Sequence, residues 1–229
     1  MRPDQADGSR KARKLAAFDL DGTLLTGTPS WEMLHEHFGT VSTAEQAHRD
    51  YSSHKITYAQ FMRRDLSVWP RPLRRSEMIE VLGGYRLRPE AAGVVEDLKL
   101  LGYEVAIVSS ALDLLVRVVA RRLGIAHYAA NRIGFDPKGN FNGKIYPLVE
   151  PLRKDLVLDQ MALRLGVRLQ DTICVGDSGY DASFLKAGGK GFVVGNRPLA
   201  AELKVPNLES LEDLLEHLKI SKERESRYR

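Results

Sequence analysis

Apolar and polar residues follow a regular alternation over the C-terminal two thirds of the chain. From Pro89 onwards, short apolar runs alternate with longer segments whose apolar residues repeat at helical spacing. The runs at 104–108, 172–175 and 191–194 are typical of buried strands, and the helical segment that follows Pro89 ends at Gly102. This alternation predicts an α/β fold with a Rossmann-like parallel sheet and helices on both faces.

Two further elements are predicted from local patterns in the same region. The segment 128–135 has the composition of a strand, and the turn residues at 136–140 lead into a second, shorter strand. Near the end of the chain, the spacing of leucines predicts a helix over 208–218.

The segment 27–86 has a different pattern from the rest of the chain. It contains both tryptophans, and its apolar residues repeat at helical rather than strand spacing. We therefore predict an α/β core formed by 14–26 and 87–218, with a small helical insertion after the first strand. We interpret the aromatic residues of the insertion, such as Trp31 and Phe61, as packing residues.

The composition indicates an ordinary globular protein. Apolar residues make up 43% and charged residues 28% of the 229 residues, and no apolar window is long enough to span a bilayer. The first fourteen residues are polar and basic and lack the apolar stretch of a secretory signal. The single cysteine, Cys174, argues for a reduced compartment without an intramolecular disulfide, so we expect a cytoplasmic protein.

The basic character of the chain is concentrated at its two ends. Residues 1–14 and 219–229 each contain five Lys or Arg and two acidic residues, so removing both segments changes the formal charge from +4 to −2. We predict basic, solvated tails at 1–13 and 219–229, and we expect neither a nucleic acid nor a membrane as a partner. The oligomeric state stays open, with a homodimer among the options.

The residues with the clearest chemistry follow the first apolar run. Asp19 and Asp21 stand one residue apart, directly before Gly22, at the predicted C-terminal edge of a buried strand. Ligands bind at this edge in open parallel sheets. Two carboxylates this close repel each other, so a site that holds both favours a bound cation, although the local stretch also fits an ordinary turn with solvated aspartates.

Other core strands also end in polar residues. Ser109 ends the second strand, Asp177 ends the third, and Asp181 follows within reach of the same edge. Lys154 opens the helix before the third strand. Hard oxygen ligands, an ammonium group and a hydroxyl suit Mg²⁺ and a phosphate group, whereas the chain has neither zinc-type Cys/His spacing nor a nucleotide-binding P-loop.

These residues resemble a known family. The run Asp19-Leu-Asp21-Gly-Thr23, followed by Ser109, Lys154 and Gly176-Asp177-Ser-Gly-Tyr-Asp181, is similar to the four ordered motifs of the haloacid dehalogenase superfamily. The helical insertion resembles the cap of its phosphoserine-phosphatase-like branch. The resemblance implies a phosphatase that acts on a small phosphorylated metabolite.

The resemblance also implies a role for each motif residue. Asp19 attacks phosphorus and forms an aspartyl-phosphate, while Asp21 serves as the general acid and base. A Mg²⁺ cofactor is implied as well. Its ligands are the side chain of Asp19, the backbone carbonyl of Asp21 and Asp177, with Asp181 either a ligand or a support. The implied phosphate-binding residues are Ser109, Ser110, Lys154 and Thr23.

The residues that select phosphoserine in this branch differ here. Thr28 stands where the resemblance implies a glutamate for the substrate ammonium, and Asp65 stands where it implies an arginine, with Arg63 and Arg64 just before it. Tyr180 replaces an expected asparagine. We therefore predict a phosphomonoesterase, and the sequence leaves the identity of its substrate undetermined. Phosphoserine hydrolysis, a phosphotransferase reaction or a non-catalytic binding module are the alternatives.

Overall fold

The structure, a computed structural model, describes residues 13–218. The basic segments predicted at 1–13 and 219–229 therefore lie outside the described residues, apart from Arg13. The strands are β1 (Lys14–Phe18), β2 (Leu25–Thr26), β3 (Arg86–Leu87), β4 (Tyr103–Leu112), β5 (His127–Phe135), β6 (Phe141–Tyr146), β7 (Thr172–Gly176), β8 (Lys190–Val194) and β9 (Asn207–Leu208). The helices are α1 (Ser30–Phe38), α2 (Val41–Ser52), α3 (Tyr58–Val68), α4 (Arg75–Leu82), α5 (Ala91–Leu100), α6 (Asp113–Arg122), α7 (Lys154–Leu165), α8 (Ala182–Ala187) and α9 (Arg197–Leu203).

The main sheet has seven strands in the order β6-β5-β4-β1-β7-β8-β9. Each neighbouring pair from β5 to β9 is parallel, so the predicted α/β fold with a mostly parallel sheet is confirmed. The edge strand β6 is antiparallel to β5. It follows β5 through a tight turn in which the carboxylate of Asp136 accepts the backbone N–H groups of Lys138 and Asn140. A connection this short joins only antiparallel strands.

The strand register places the predicted site residues together. Phe18 in β1 lies opposite Ile107 in β4 and Val175 in β7. Because these three strands run in parallel, their carboxyl ends meet at one edge of the sheet. Asp19, Ser109 and Asp177 each follow at this edge.

Alternate residues of the central strands fill two separate cores. Val105 and Ile107 of β4 face one core, whereas Ala106 and Val108 face the other. Both faces of the sheet are therefore covered, as expected for a parallel sheet. This double burial keeps the strands rigid and holds the residues at their ends in fixed positions.

Helices α1 to α4 lie between β2 and β3. These two strands pair antiparallel, so the chain leaves the sheet region and returns to it at the same place. Leu34, Met62, Leu66 and Trp69 are buried among these helices. Among the described residues, no helix combines the length and apolar character that a membrane crossing requires.

The prediction of one helix over 208–218 is wrong in its first part. Leu208 belongs to β9, and helical structure begins only at 213. The carboxylate of Asp213 accepts the backbone N–H groups of Glu209 and Ser210, at 2.8 and 3.1 Å, and so stabilises a turn between strand and helix. Leu208 in β9 and the later Leu211, Leu214 and Leu218 are all buried in the same core, although they do not belong to one helix.

Candidate active site

The loop after β1 has a tightly fixed conformation. The guanidinium of Arg88 donates to the carbonyl oxygens of Gly22 and Thr23, at 2.9 and 2.8 Å. Gly22 has a φ of +79°, and a Cβ at this position would lie 2.2 Å from Oδ2 of Asp177. The position therefore requires glycine both for its backbone conformation and for the close approach of Asp177.

A buried ion-pair network lies at the centre of the site. Nζ of Lys154 donates to Oδ1 of Asp19 at 2.6 Å and to Oδ1 of Asp181 at 2.7 Å. The exposed fractions of Asp19, Lys154 and Asp181 are only 5%, 2% and 0%. Such a network is shielded from solvent, so its charges interact strongly with one another and with any bound ligand.

Asp181 also organises the loop that follows β7. Its Oδ2 accepts the backbone N–H groups of Asp177 and Ser178 and the hydroxyl of Ser178, each at 3.1 Å. Both carboxylate oxygens of Asp181 are therefore engaged by protein donors. The residue fixes the positions of Lys154 and of Asp177 at the same time.

Asp177 is the most accessible carboxylate of this cluster. Its Oδ1 accepts the hydroxyl of Thr23 at 3.1 Å, and its backbone carbonyl accepts the side-chain N–H of Asn196 at 2.9 Å. One oxygen from each of Asp19, Asp177 and Asp181 lies within 4.8 Å of the others. A compact set of carboxylate oxygens fits a hard divalent cation such as Mg²⁺.

The electrostatics of the cluster also fit a cation. Burial raises the pKa of Asp19 to about 8, with Lys154 opposing this rise and Asp181 and Asp177 adding to it. Burial and the charge of Asp181 raise the pKa of Asp177 to about 6, against the hydrogen bond from Thr23. A cation among these oxygens would stabilise the ionised carboxylates and remove their mutual repulsion.

Asp21 has a separate environment from the other carboxylates. Its Oδ2 accepts the hydroxyl of Ser30, the first residue of α1, at 2.6 Å. Burial raises the pKa of Asp21, and the hydrogen bonds from Ser30 oppose this rise. A carboxyl group whose pKa is raised retains its proton more readily, as a proton donor requires.

Ser109 and Ser110, the two serines predicted to bind phosphate, lie near the end of β4. Ser109 is buried, and its Oγ accepts the backbone N–H of Ala111 at 3.2 Å. The carbonyl of Ser110 accepts Nε1 of Trp31 at 3.1 Å and Nδ2 of Asn131 at 2.7 Å. The N-cap position of α6 is Leu112, so Ser109 does not act as its N-cap.

The four predicted substrate residues of the insertion do not come together. Thr28 is exposed and lines a cavity of about 430 Å³ beside β2 and β3. Arg63 and Arg64 are exposed, and Arg64 pairs with Asp50 at 2.5 Å. Asp65, in contrast, is buried, with Oδ2 lying 3.4 Å from Nε2 of His35.

Several residues that support the site were missed by the sequence reasoning. They share one property, because each contacts a residue outside its own helix or strand, between 9 and 79 positions away in the sequence. No local pattern around them indicates such a contact. These residues are Ser30, Trp31, Arg88, Asn131 and Asn196.

The carboxylate cluster and the buried lysine lie together at the carboxyl edge of a parallel sheet, as expected from the resemblance of the four motifs to the haloacid dehalogenase superfamily. The comparison with known families agrees, because the model of the haloacid dehalogenase-like hydrolases matches residues 13–189. The chain belongs to this family. The resemblance inferred from the four motifs is therefore confirmed.

Relatives and solved structures similar to this chain are named phosphoserine phosphatases. The chain is 27% identical over 212 residues to the phosphoserine phosphatase of Methanocaldococcus jannaschii, which covers 91% of this chain and 99% of the relative. It is 26% identical to a phosphoserine phosphatase of Streptomyces coelicolor, of which it spans about half, 51%. A structure described as substrate-bound phosphoserine phosphatase has a TM-score of 0.76 at 24% identity and covers 91% of this chain and 99% of its own. The last match shows the shared fold.

Proposed function

We propose that this protein is a Mg²⁺-dependent phosphomonoesterase that hydrolyses a small phosphorylated metabolite through an aspartyl-phosphate on Asp19. One observation carries the proposal: a buried carboxylate, Asp19, lies at the carboxyl edge of the sheet, 2.6 Å from the ammonium of Lys154 and within a carboxylate cluster suited to a cation. This environment orients a nucleophilic oxygen and stabilises the negative charge of a phosphoryl group.

The reaction takes place in two displacements. An oxygen of Asp19 attacks phosphorus, and the bond between phosphorus and the ester oxygen breaks while Asp21 gives its proton to the departing alkoxide. Asp21 then takes a proton from water, whose oxygen attacks phosphorus and releases phosphate and Asp19. The raised pKa of Asp21 and its separation from the carboxylate cluster support this assignment.

The Mg²⁺ ion would be held by the side chains of Asp19 and Asp177 and by the backbone carbonyl of Asp21. When bound, it neutralises the repulsion between nucleophile and phosphate. Asp181 acts as a support rather than as a direct ligand, because its two oxygens already accept four hydrogen bonds from protein groups.

The phosphoryl oxygens are bound by the residues around the nucleophile. Lys154 has three N–H donors and uses two for Asp19 and Asp181, which leaves one for a phosphoryl oxygen. Ser109 contributes its hydroxyl, with Ser110 beside it. The hydroxyl of Thr23 donates to Asp177, which favours a positioning role over the phosphate contact that the sequence suggested.

The helical insertion, 27–86, acts as a cap on the core formed by 14–26 and 87–218. Ser30 contacts Asp21, and Trp31 contacts Ser110, so the first turn of α1 lies against the catalytic edge. A cap in this position would exclude water from the site during phosphoryl transfer. The names of the relatives favour phosphoserine, whereas the exposed Thr28 and the buried Asp65 argue for a different alcohol group.

The test is phosphate release from a panel of phosphomonoesters that includes phosphoserine and p-nitrophenyl phosphate. We expect release with Mg²⁺, none with a chelator, and none from the Asp19→Asn variant. Folded wild-type protein that hydrolyses no ester in the presence of Mg²⁺ would refute the proposal. Less free phosphate per alcohol released when a second alcohol is added would indicate a phosphotransferase.

A further inference from the structure

A groove in the insertion lies between α1, α2 and α3 and has a volume of about 350 Å³. We name it the insertion groove and define it by six of its lining residues: Trp31, His35, Ala44, His48, Phe61 and Asp65. It differs from the carboxylate cluster, because none of the four motif residues Asp19, Asp21, Lys154 and Asp177 lines it.

Two residues connect the insertion groove to the catalytic edge of the sheet. Nε1 of Trp31 donates to the carbonyl of Ser110, beside the proposed phosphate-binding Ser109. The imidazole of His48 contacts the hydroxyl of Tyr180, next to Asp181. Two walls of the groove are therefore held against core residues that neighbour the proposed phosphate-binding Ser109 and the supporting Asp181.

Asp65 is a buried carboxylate with an unused oxygen. Only 2% of the residue is exposed, and its Oδ1 has no hydrogen-bond partner among the described residues. Its other oxygen faces Nε2 of His35 at 3.4 Å. A buried carboxylate oxygen without a donor is unfavourable, so a bound group that supplies a donor or a positive charge would stabilise it.

The protein itself supplies only a neutral donor. Nε1 of Trp69 can only donate, and it lies 3.1 Å from Nδ1 of His35. Nδ1 of His35 is therefore an acceptor, and the ring proton is on Nε2, facing Asp65. Across residues 13–218, no Lys or Arg forms an ion pair with Asp65.

The other walls of the groove also favour a cation. Glu32 adds a further carboxylate to the lining, whereas Glu45 forms an ion pair with Arg49, whose guanidinium is the only one among the lining residues. Arg49 is already bound to Glu45 at 3.7 Å and to Gln46 at 2.9 Å. Trp31 and Phe61 are among the lining residues, and aromatic rings attract a cationic group.

We propose that the insertion groove binds the alcohol part of the substrate and selects phosphomonoesters whose alcohol carries an ammonium group, with Asp65 as its counter-ion. The inference rests on the proposed function and narrows its substrate class. An anionic alcohol group finds no unpaired Lys or Arg among the lining residues, and a neutral one leaves Asp65 without a charged partner.

The experiment compares two esters of nearly equal size, 2-aminoethyl phosphate and n-propyl phosphate. We expect the wild type to have a kcat/KM for the amino ester about tenfold or more above that for the propyl ester. Asp65→Asn keeps the shape of the side chain and removes its charge, so it should abolish this preference. Glu36→Gln, on the exposed face of α1 and outside the groove, is the matched control and should retain the preference.

Equal kcat/KM for the two esters in the wild type, or a preference that survives in Asp65→Asn, would overturn the inference. Should Asp65→Asn fail to fold, inhibition of the wild type decides the question, because 2-aminoethanol should inhibit at lower concentration than 1-propanol. Equal inhibition by the two alcohols would overturn it as well. A wild type that hydrolyses none of the esters would refute the proposed function. In that case, binding of 2-aminoethanol measured by calorimetry would still support the inference that the insertion groove binds an ammonium group. Absence of binding would overturn that inference.

Discussion

The molecule contains two buried clusters of charged groups that are balanced in different ways. At the sheet edge, the ammonium group of Lys154 lies between Asp19 and Asp181 and donates a hydrogen bond to each carboxylate. In the insertion, Asp65 is as deeply buried but faces only the neutral N–H of His35. The cluster at the sheet edge is preorganised for the proposed transfer of a phosphoryl group. The second leaves a charge for a ligand to match, so the core determines the reaction and the insertion selects the alcohol.

The largest expected effect concerns the nucleophile in the core. Asp19→Asn keeps the shape of the side chain and removes its nucleophilic oxygen, so kcat/KM should fall by about 10⁴-fold or more for every ester. Thermal unfolding should show a folded variant. The exposed Asp159 in α7 provides the control, and Asp159→Asn should retain full activity. Residual activity of a few per cent in pure Asp19→Asn would contradict the assignment.

The next effect concerns the balance of charge at the sheet edge. Lys154→Met leaves the buried carboxylates Asp19 and Asp181 without their cation, which should lower the free energy of unfolding by about 3–5 kcal/mol. Urea denaturation measures this change without Mg²⁺. Lys186→Met, at an exposed position of α8, should change it by less than about 0.5 kcal/mol. A loss below about 1 kcal/mol for Lys154→Met would show that the ion-pair network is not balanced as described.

A pair of glycine variants tests the metal site. Gly22 and Gly27 have φ values of +79° and +89°, so alanine strains the backbone at both positions. Only at Gly22 would the new Cβ displace Asp177, because nothing lies within 4 Å of the Cβ position at Gly27. Gly22→Ala should raise the Mg²⁺ concentration for half-maximal activity by about tenfold or more, and Gly27→Ala should not. Equal shifts in both variants would argue against Asp177 as a metal ligand.

The smallest expected effect concerns the contact between insertion and core. Tyr180 contacts His48 at a partly exposed position, where hydrogen bonds contribute little. Tyr180→Phe should raise KM by about threefold or less and leave kcat unchanged. The matched His48→Ala variant should behave in the same way, and the double variant should add nothing further. A large loss of kcat in Tyr180→Phe would instead place this hydroxyl in the chemistry.

The sequence predicted the core site far better than the insertion. Asp19 and Asp177 follow strand-like apolar runs, and the geometry of a parallel sheet brings such positions together. The contact between Trp31 and Ser110 joins residues 79 positions apart, and no periodicity encodes it. The leucines at 208–218 misled the helix prediction, because strand and helix residues can share one buried face. The burial of Asp65 was equally hidden, since its contact with His35 joins residues that no local pattern connects.

The most direct test of the division between core and insertion is the mass of the chain after acid quenching during turnover with Mg²⁺. We expect one added phosphoryl group on the peptide that contains Asp19, for 2-aminoethyl phosphate and n-propyl phosphate alike. Asp65→Asn should still form this phosphopeptide and should lose only the faster labelling by the amino ester. A phosphoryl group on another residue, or none during rapid turnover, would contradict the assignment of Asp19 as the nucleophile.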